Sequence, residues 1–163
     1  DAKTIVNALV TPHLDYGNGL LYNISKTLAN KLQIAQNAAV RLIEKVKKYE
    51  SISRYRKNLH WLPIPARIQY KIILTTWKTI HKMAPGYLTN LIKVNENSRV
   101  LRSNSTIRLK MPQITCKNKL IDRSFCMSAP SLWNGLPDDL KSIETLDGFK
   151  KKLKTYLFNR FYD

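Results

Sequence analysis

The sequence predicts a mainly α-helical, bundle-like domain of about seven helices. Three observations predict it. Apolar residues recur at spacings of three and four in the long segments, the signature of one helix face. Prolines, serines and threonines punctuate those segments where helices start and stop. Alternation with a period of two is confined to one weak stretch, 106–116. The chain has 163 residues and is 44% hydrophobic, enough for a packed core.

Taken in order, Lys3 to Val10 is apolar-rich and stops at Thr11-Pro12, because proline disfavours a helical conformation in the residue before it. His13 to Asn23 reads as a turn around Gly17 and Gly19 leading into a short apolar segment. Ser25 is a helix N-cap. Behind it Leu28, Leu32, Ala35, Ala39, Leu42 and Val46 form one stripe, with Ala35 and Ala39 permitting close approach of a neighbour. Asn30, Gln33, Asn37, Arg41 and Glu44 take the other side, and Lys45, Lys47 and Lys48 sit at the negative end of the helix dipole. Glu50 to Asn58 is a short basic helix carrying Arg54, Arg56 and Lys57 around Tyr55.

The stretch Leu59 to Pro85 is the pivot. Pro63 and Pro65 close a turn, and Pro65 suits the first turn of a helix. From Ala66 to Met83 the cations Arg67, Lys71, Lys78 and Lys82 fall within roughly 60° of one another at 100° per residue. Ile72, Ile73, Thr76, Trp77 and Ile80 lie opposite; Leu74 breaks the pattern. Ala84-Pro85-Gly86 ends the helix. Tyr87 to Val94 reads as one more short helix, and Asn95 to Ser105, with Arg99 and Arg102, as a loop. The weak alternation of Thr106 to Cys116 leaves room for a small β-hairpin or two short strands, with Pro112 at an edge. Ile121 to Leu136 is apolar, with Pro130 starting a second helical turn. Pro137-Asp138-Asp139 opens a short helix with carboxylates where the dipole favours them. Thr145 caps the last helix, whose buried stripe is Leu146, Phe149, Leu153, Tyr156 and Leu157; Lys150, Lys151, Lys152 and Lys154 stay outside. The chain divides into a segment 1–94 and an extension 95–163.

Charge points to function. There are 28 Lys and Arg against 11 Asp and Glu, a net +17. Such a surplus repels itself unless a polyanion is near, which favours nucleic acid first and an acidic membrane second. From Ser51 to Ile121 there are 14 basic residues and one acid, Glu96. No apolar run approaches the roughly 18 residues of a membrane span. The chain opens inside a helical pattern and without Met, as a piece of a longer protein does. His13, His60, His81, Cys116 and Cys126 have no metal-ligand spacing. His60, beside Trp61 in the turn, reads as a packed or capping residue. No nucleophile-elbow or glycine-rich phosphate loop is present, and Cys126 sits in an apolar segment where thiols are inert. What remains is the basic face: Arg67, Lys71, Lys78 and Lys82, with Arg54, Arg56 and Lys57 near in sequence. Trp61, Trp77 and Trp133 are the residues able to stack bases, of which Trp77 and Trp133 read as core.

Several blocks carry a resemblance. They are Leu9-Val10-Thr11 with Leu14-Asp15-Tyr16; Leu32-Gln33-Ile34-Ala35-Gln36-Asn37-Ala38-Ala39-Val40-Arg41-Leu42; Leu59-His60-Trp61-Leu62-Pro63; Arg67-Ile68-Gln69-Tyr70-Lys71; Ala84-Pro85-Gly86-Tyr87-Leu88; Leu101-Arg102-Ser103; Ala129-Pro130-Ser131-Leu132-Trp133-Asn134 with Leu136-Pro137; and Phe149-Lys150 with Leu153-Lys154. In that order the chain resembles the C-terminal part of the reverse-transcriptase polyprotein of non-LTR retrotransposons, the LINE elements of jockey-like and related clades. Where many relatives carry Cys after Asp-Tyr, Gly17 stands here.

The resemblance implies a thumb-like segment over 1–94 and a post-palm extension over 95–163. Its expected partners are RNA or DNA and the upstream palm and fingers of the same polyprotein, with no membrane and no small-molecule ligand. The location it implies is intracellular, nucleus and cytoplasm. Catalytic aspartates, and the magnesium they hold, belong to the palm, so this stretch is expected to have no catalytic site and no cofactor. The implied role is holding template RNA, target DNA or their hybrid during target-primed reverse transcription. The alternative is a structural scaffold that packs on the polymerase core and touches no nucleic acid.

Overall fold

A 17-residue helix, Ile64 to Ile80, is buried along two of its three flanks, and the other elements are arranged around it. The computed structural model describes residues 1–95, 107–113 and 119–162. Among the described residues ten α-helices follow one another: α1 (Ala2–Leu9), α2 (Thr11–Asp15), α3 (Lys26–Glu44), α4 (Ser53–Asn58), α5 (Ile64–Ile80), α6 (Gly86–Thr89), α7 (Lys119–Asp122), α8 (Phe125–Asn134), α9 (Asp138–Lys141) and α10 (Leu146–Tyr162). A 3-10 turn, Asn18–Leu21, joins α2 to α3. The fold is therefore all-α in character, with more short helices than the sequence suggested.

Helix α5 starts two residues earlier than its pattern implied, at Ile64, with Pro63 extended before it and Pro65 in its first turn. One flank, Ala66, Ile73 and Trp77, packs with Leu62, Leu109, Trp133, Leu136, Leu140, Phe149, Leu153 and Leu157. This core takes residues from both sides of position 94. The other flank, Ile64, Ile68 and Ile72, packs with Ala129 and the half-buried Leu14, Leu21, Tyr22 and Leu32. Leu74, outside the apolar stripe, is half-buried against the first core. Trp77 and Trp133 are fully buried, as expected. Each indole N–H finds a carbonyl: Trp77 donates to Ile143 (2.9 Å) and Trp133 to Ile107 (2.8 Å). The Trp77 ring stacks on Phe149 at 5.4 Å and on His81 at 3.9 Å. Truncating either indole to Ala removes roughly 3–5 kcal/mol by the usual cost of an emptied aromatic site.

Helix α3 corrects an expectation. Ser25 does cap it, accepting from the Leu28 amide (3.4 Å). Its inward face is only partly the apolar stripe, of which Ala39 is buried and Leu32 packs on the second core. Leu28 and Leu42 are 50% and 63% exposed, and Ala35 is exposed as well, whereas Gln36 is fully buried with Ala39 and Val40. The physical reason is the turn before α5. Gln36 Nε2 donates to the Leu62 carbonyl (2.8 Å), and the Ile64 amide donates to Gln33 Oε1 (3.0 Å). Gln33 Nε2 in turn donates to Gln36 Oε1 (2.8 Å) and Asn37 Oδ1 (2.9 Å). Pro63 and Pro65 can donate nothing, so the remaining orphan groups of the turn are met by these amides.

Other elements depart in smaller ways. Pro130 does not start a new turn; it lies inside a continuous α8. The expected helix over Tyr87–Val94 shortens to α6, Gly86–Thr89. Residues 107–113, the described part of the expected hairpin, contain no strand. Leu109 instead forms a single antiparallel bridge with Val94, flanked by Asn95 N–H to the Arg108 carbonyl and Lys110 N–H to the Lys93 carbonyl, both 2.8 Å. Arg99, the block Leu101–Ser103, residue 106 and residues 114–116, with Cys116, lie outside the described residues. Helix α9 opens with Asp138 and Asp139 as expected. Helix α10 begins directly after Thr145; a Cβ on Gly148 would stand 2.6 Å from Thr145 Oγ1, so a larger residue there would force the threonine side chain to move.

The shifted face of α3 gives a direct test. Gln36→Ala strands the buried Leu62 carbonyl and leaves a gap, and is expected to cost about 2–3 kcal/mol in urea unfolding. Leu42→Ala, on the exposed side, is expected to cost less than about 0.5 kcal/mol. The opposite ranking would restore the apolar stripe as the inward face.

Candidate nucleic-acid interface

Two buried flanks leave α5 one strip facing water. That strip carries Arg67, Lys71 one turn on and Lys78 two turns further, and no acid. Lys71 is exposed and Lys78 half-buried. Lys82 lies beyond the helix, exposed, at φ +56°. It closes the helix: its amide donates to the Thr79 carbonyl (3.2 Å), and the Met83 amide donates to the Lys78 carbonyl (2.7 Å). This is the Schellman arrangement, which normally favours glycine at the left-handed position.

Arg67 is already engaged. Its Nε donates to Asp15 Oδ1 (2.9 Å) and its Nη2 to Asp15 Oδ2 (2.5 Å), a bidentate pair in which the arginine side chain is 15% exposed. Its guanidinium therefore ties α2 to α5 before it can meet any phosphate. Arg56 is engaged as well. Its Nε donates to Tyr162 Oη (2.6 Å), its Nη1 to Asn37 Oδ1 (3.0 Å), and its guanidinium lies 5.5 Å from the Tyr162 ring centroid. Tyr162 Oη donates onward to the Trp61 carbonyl (2.6 Å). Burial raises the Tyr162 phenol above its ordinary value, against the opposing pull of Arg56, so the proton that this bond needs stays in place. Arg54 and Lys57 are exposed on α4.

The turn between α4 and α5 is built like the end of α5. His60, at φ +55°, gives its amide to the Lys57 carbonyl (2.9 Å), and the Trp61 amide donates to the Arg56 carbonyl (3.1 Å). The His60 ring stacks on Phe158 of α10 at 5.6 Å with 16° between planes. His60 is thus the packed, capping residue the sequence suggested. Helix α10 runs antiparallel to α5: Tyr162 meets the turn at Trp61, while Phe149 meets Trp77. This course carries Lys154 to the water-facing strip of α5.

The result is an open cleft of about 370 Å³ lined by Asp15, Asn18, His60, Trp61, Leu62, Arg67, Tyr70, Lys71, Leu74 and Lys154. Of the seven cations singled out from sequence, it gathers Arg67 and Lys71. Lys78 and Lys82 continue the strip beyond it, and Arg54, Arg56 and Lys57 are not among its lining residues. Lys154 was missed as a site residue. Its only sequence signal was membership in a lysine run on α10, and nothing local shows that α10 doubles back along α5. Among the described residues no helix is long and apolar enough to cross a membrane.

Two substitutions separate structural cations from free ones. Arg67→Gln leaves Asp15 unpaired and is expected to lower stability by about 1–2 kcal/mol, less than a fully buried pair because water reaches the carboxylate. Lys71→Gln is expected to stay within about 0.5 kcal/mol of the parent. At the end of α5, Lys82→Gly relieves a left-handed lysine and is expected to raise stability by about 1 kcal/mol in thermal or urea unfolding; no gain would mean that the backbone there is unstrained.

Comparison of the chain with protein-family models, with curated proteins and with solved structures finds no match.

Proposed function

We propose that this chain is the non-catalytic, post-palm part of a non-LTR retrotransposon reverse transcriptase, and that it holds template RNA, target DNA or their hybrid for the neighbouring polymerase. The family half of this reading rests on the sequence blocks from Leu9 to Lys154. The binding half rests on one observation: Lys71 and Lys154, from helices far apart in sequence, converge on one open cleft whose acidic lining residue, Asp15, is paired by Arg67. Phosphates there meet cations without facing a bare carboxylate. Lys78 and Lys82 extend the same sign of charge along α5. Arg56 and Arg67 have structural duties, so phosphate contact falls to Lys71, Lys78, Lys82 and Lys154, with Arg54 and Lys57 on a neighbouring surface. Magnesium and the polymerising aspartates belong, by the resemblance, to the palm.

A second reading has an observation of its own. Leu28, Ile34 and Leu42 of α3 and Ile5 and Leu9 of α1 are large apolar side chains between 50% and 66% exposed. A scaffold that packs on the polymerase core, the palm and fingers, would cover them, with or without nucleic acid nearby.

Binding to RNA and DNA measured across a salt series distinguishes the two. Each phosphate neutralised on a duplex steepens the log–log slope by roughly 0.9, and on a single strand by roughly 0.7. Replacing Lys71, Lys78, Lys82 and Lys154 together by Gln is expected to flatten the slope by about three while far-ultraviolet dichroism stays unchanged. An unaltered slope in a folded variant would move the interface elsewhere. Absence of binding by the parent chain at about 50–100 mM salt would leave the scaffold.

A further inference from the structure

The cleft between α5 and α10 has walls that phosphate binding alone does not require. A polyanion tracking a row of lysines needs only charge at the surface. Its lining residues also include three that carry aromatic rings, His60, Trp61 and Tyr70, and two leucines, Leu62 and Leu74. Its volume, about 370 Å³, lies at the small end of sites that take a discrete organic group. Lys71 and Lys154 are exposed at the same opening. The one carboxylate among its lining residues, Asp15, accepts from both Arg67 nitrogens and from Asn18 Nδ2 (3.3 Å), so it does not act as a bare negative charge.

We infer that this cleft accepts an unpaired nucleobase from a single-stranded nucleic acid, stacked against Trp61, while the flanking phosphates are held by Lys71 and Lys154. This rests on the nucleic-acid reading above and narrows it to single strands. A duplex keeps its bases stacked on one another and offers a protein its backbone and groove edges; only an unstacked base can offer a free π-face to an aromatic wall.

Parts of the frame around the cleft are held in advance. The Trp61 backbone is held at both ends, its amide donating to the Arg56 carbonyl and its own carbonyl accepting from Tyr162 Oη. The His60 ring is stacked on Phe158, and its Nδ1 lies 3.1 Å from the Asn58 carbonyl oxygen. Arg67 is clamped by Asp15. A site whose walls are already ordered loses less freedom on binding than one that must assemble around its ligand. Stacking discriminates little between bases, so the expected preference is for strandedness rather than sequence.

The three tryptophans make the test selective. Trp77 and Trp133 are 0% exposed, and Trp61 is half-buried in the cleft. Quenching of tryptophan emission by an added strand therefore reports on Trp61. The 163-residue chain is titrated at one low salt concentration with oligothymidylate, with an abasic strand of the same length and charge, and with a duplex. Binding is read by anisotropy of a labelled strand and stacking by emission. Oligothymidylate is expected to quench, and the abasic strand to bind without quenching and roughly tenfold more weakly. Trp61→Phe is expected to abolish the quench while keeping binding within about threefold, since phenylalanine also stacks. Trp61→Ala is expected to weaken single-strand binding roughly tenfold while leaving duplex binding and the salt slope in place. Equal, unquenched binding of the thymidylate and abasic strands with a normal salt slope would overturn the base pocket and leave the nucleic-acid reading standing. Equal quenching by duplex and single strand would also overturn it. No binding by any of the three would overturn both.

Discussion

Burying a helix on two flanks confines everything soluble about it to the third. Helix α5 meets α10 on one flank, α3 and the 3-10 turn on another, and α8 on both. Its polar residues therefore cannot be spread around it as on an ordinary surface helix. Either they are absorbed, as Thr76 and Thr79 are by bonding the carbonyls four residues back, or they are driven to the remaining strip. The basic line of Arg67, Lys71 and Lys78 is the geometrical remainder of two cores. The same cores hold the helix rigidly enough for that line to serve as a fixed surface.

The strip also shows why a cation count overstates a binding face. Arginine's planar fork makes it the better partner for a carboxylate or a phenol, and lysine the better mobile point charge. Here the two arginines nearest the cleft, Arg56 and Arg67, are spent inside the protein on Tyr162, Asn37 and Asp15. The lysines around them remain exposed or half-exposed. The division is not absolute: Lys141 is buried and donates to Asp138 and the Asn134 carbonyl, whereas Arg54 is exposed.

Much of the fold was legible because its signals are local. The proline turn, the Ser25 cap, the core position of Trp77 and Trp133, the Asp138–Asp139 helix start and the stripe of α10 all follow from neighbours within one or two turns. What escaped depended on distant partners. Gln33 was placed on the outer side and Gln36 on neither, because nothing in α3 reveals the unsatisfied carbonyl and amide at Leu62 and Ile64 that they meet. Arg67 read as free because Asp15 lies in a different element. Leu109 read as half of a hairpin because its partner, Val94, falls outside the alternating stretch. Half of the cleft was legible too: the strip on α5 is periodic, whereas Lys154 arrives through the return of α10.

That return has a consequence for how the molecule comes into being. The flank of α5 that includes Trp77 is covered by Phe149, Leu153 and Leu157, close to the end of the chain, and the α4–α5 turn is bonded to Tyr162. Contacts of such long sequence separation form late, because the intervening chain must first be confined. At a synthesis rate of roughly 5–20 residues per second, α5 is made on the order of ten seconds before the helix that closes over it. Over that interval the Trp77 flank of α5 lacks the cover that α10 gives it. The nascent protein spends it with that surface in partial or non-native contacts, a state open to aggregation during synthesis.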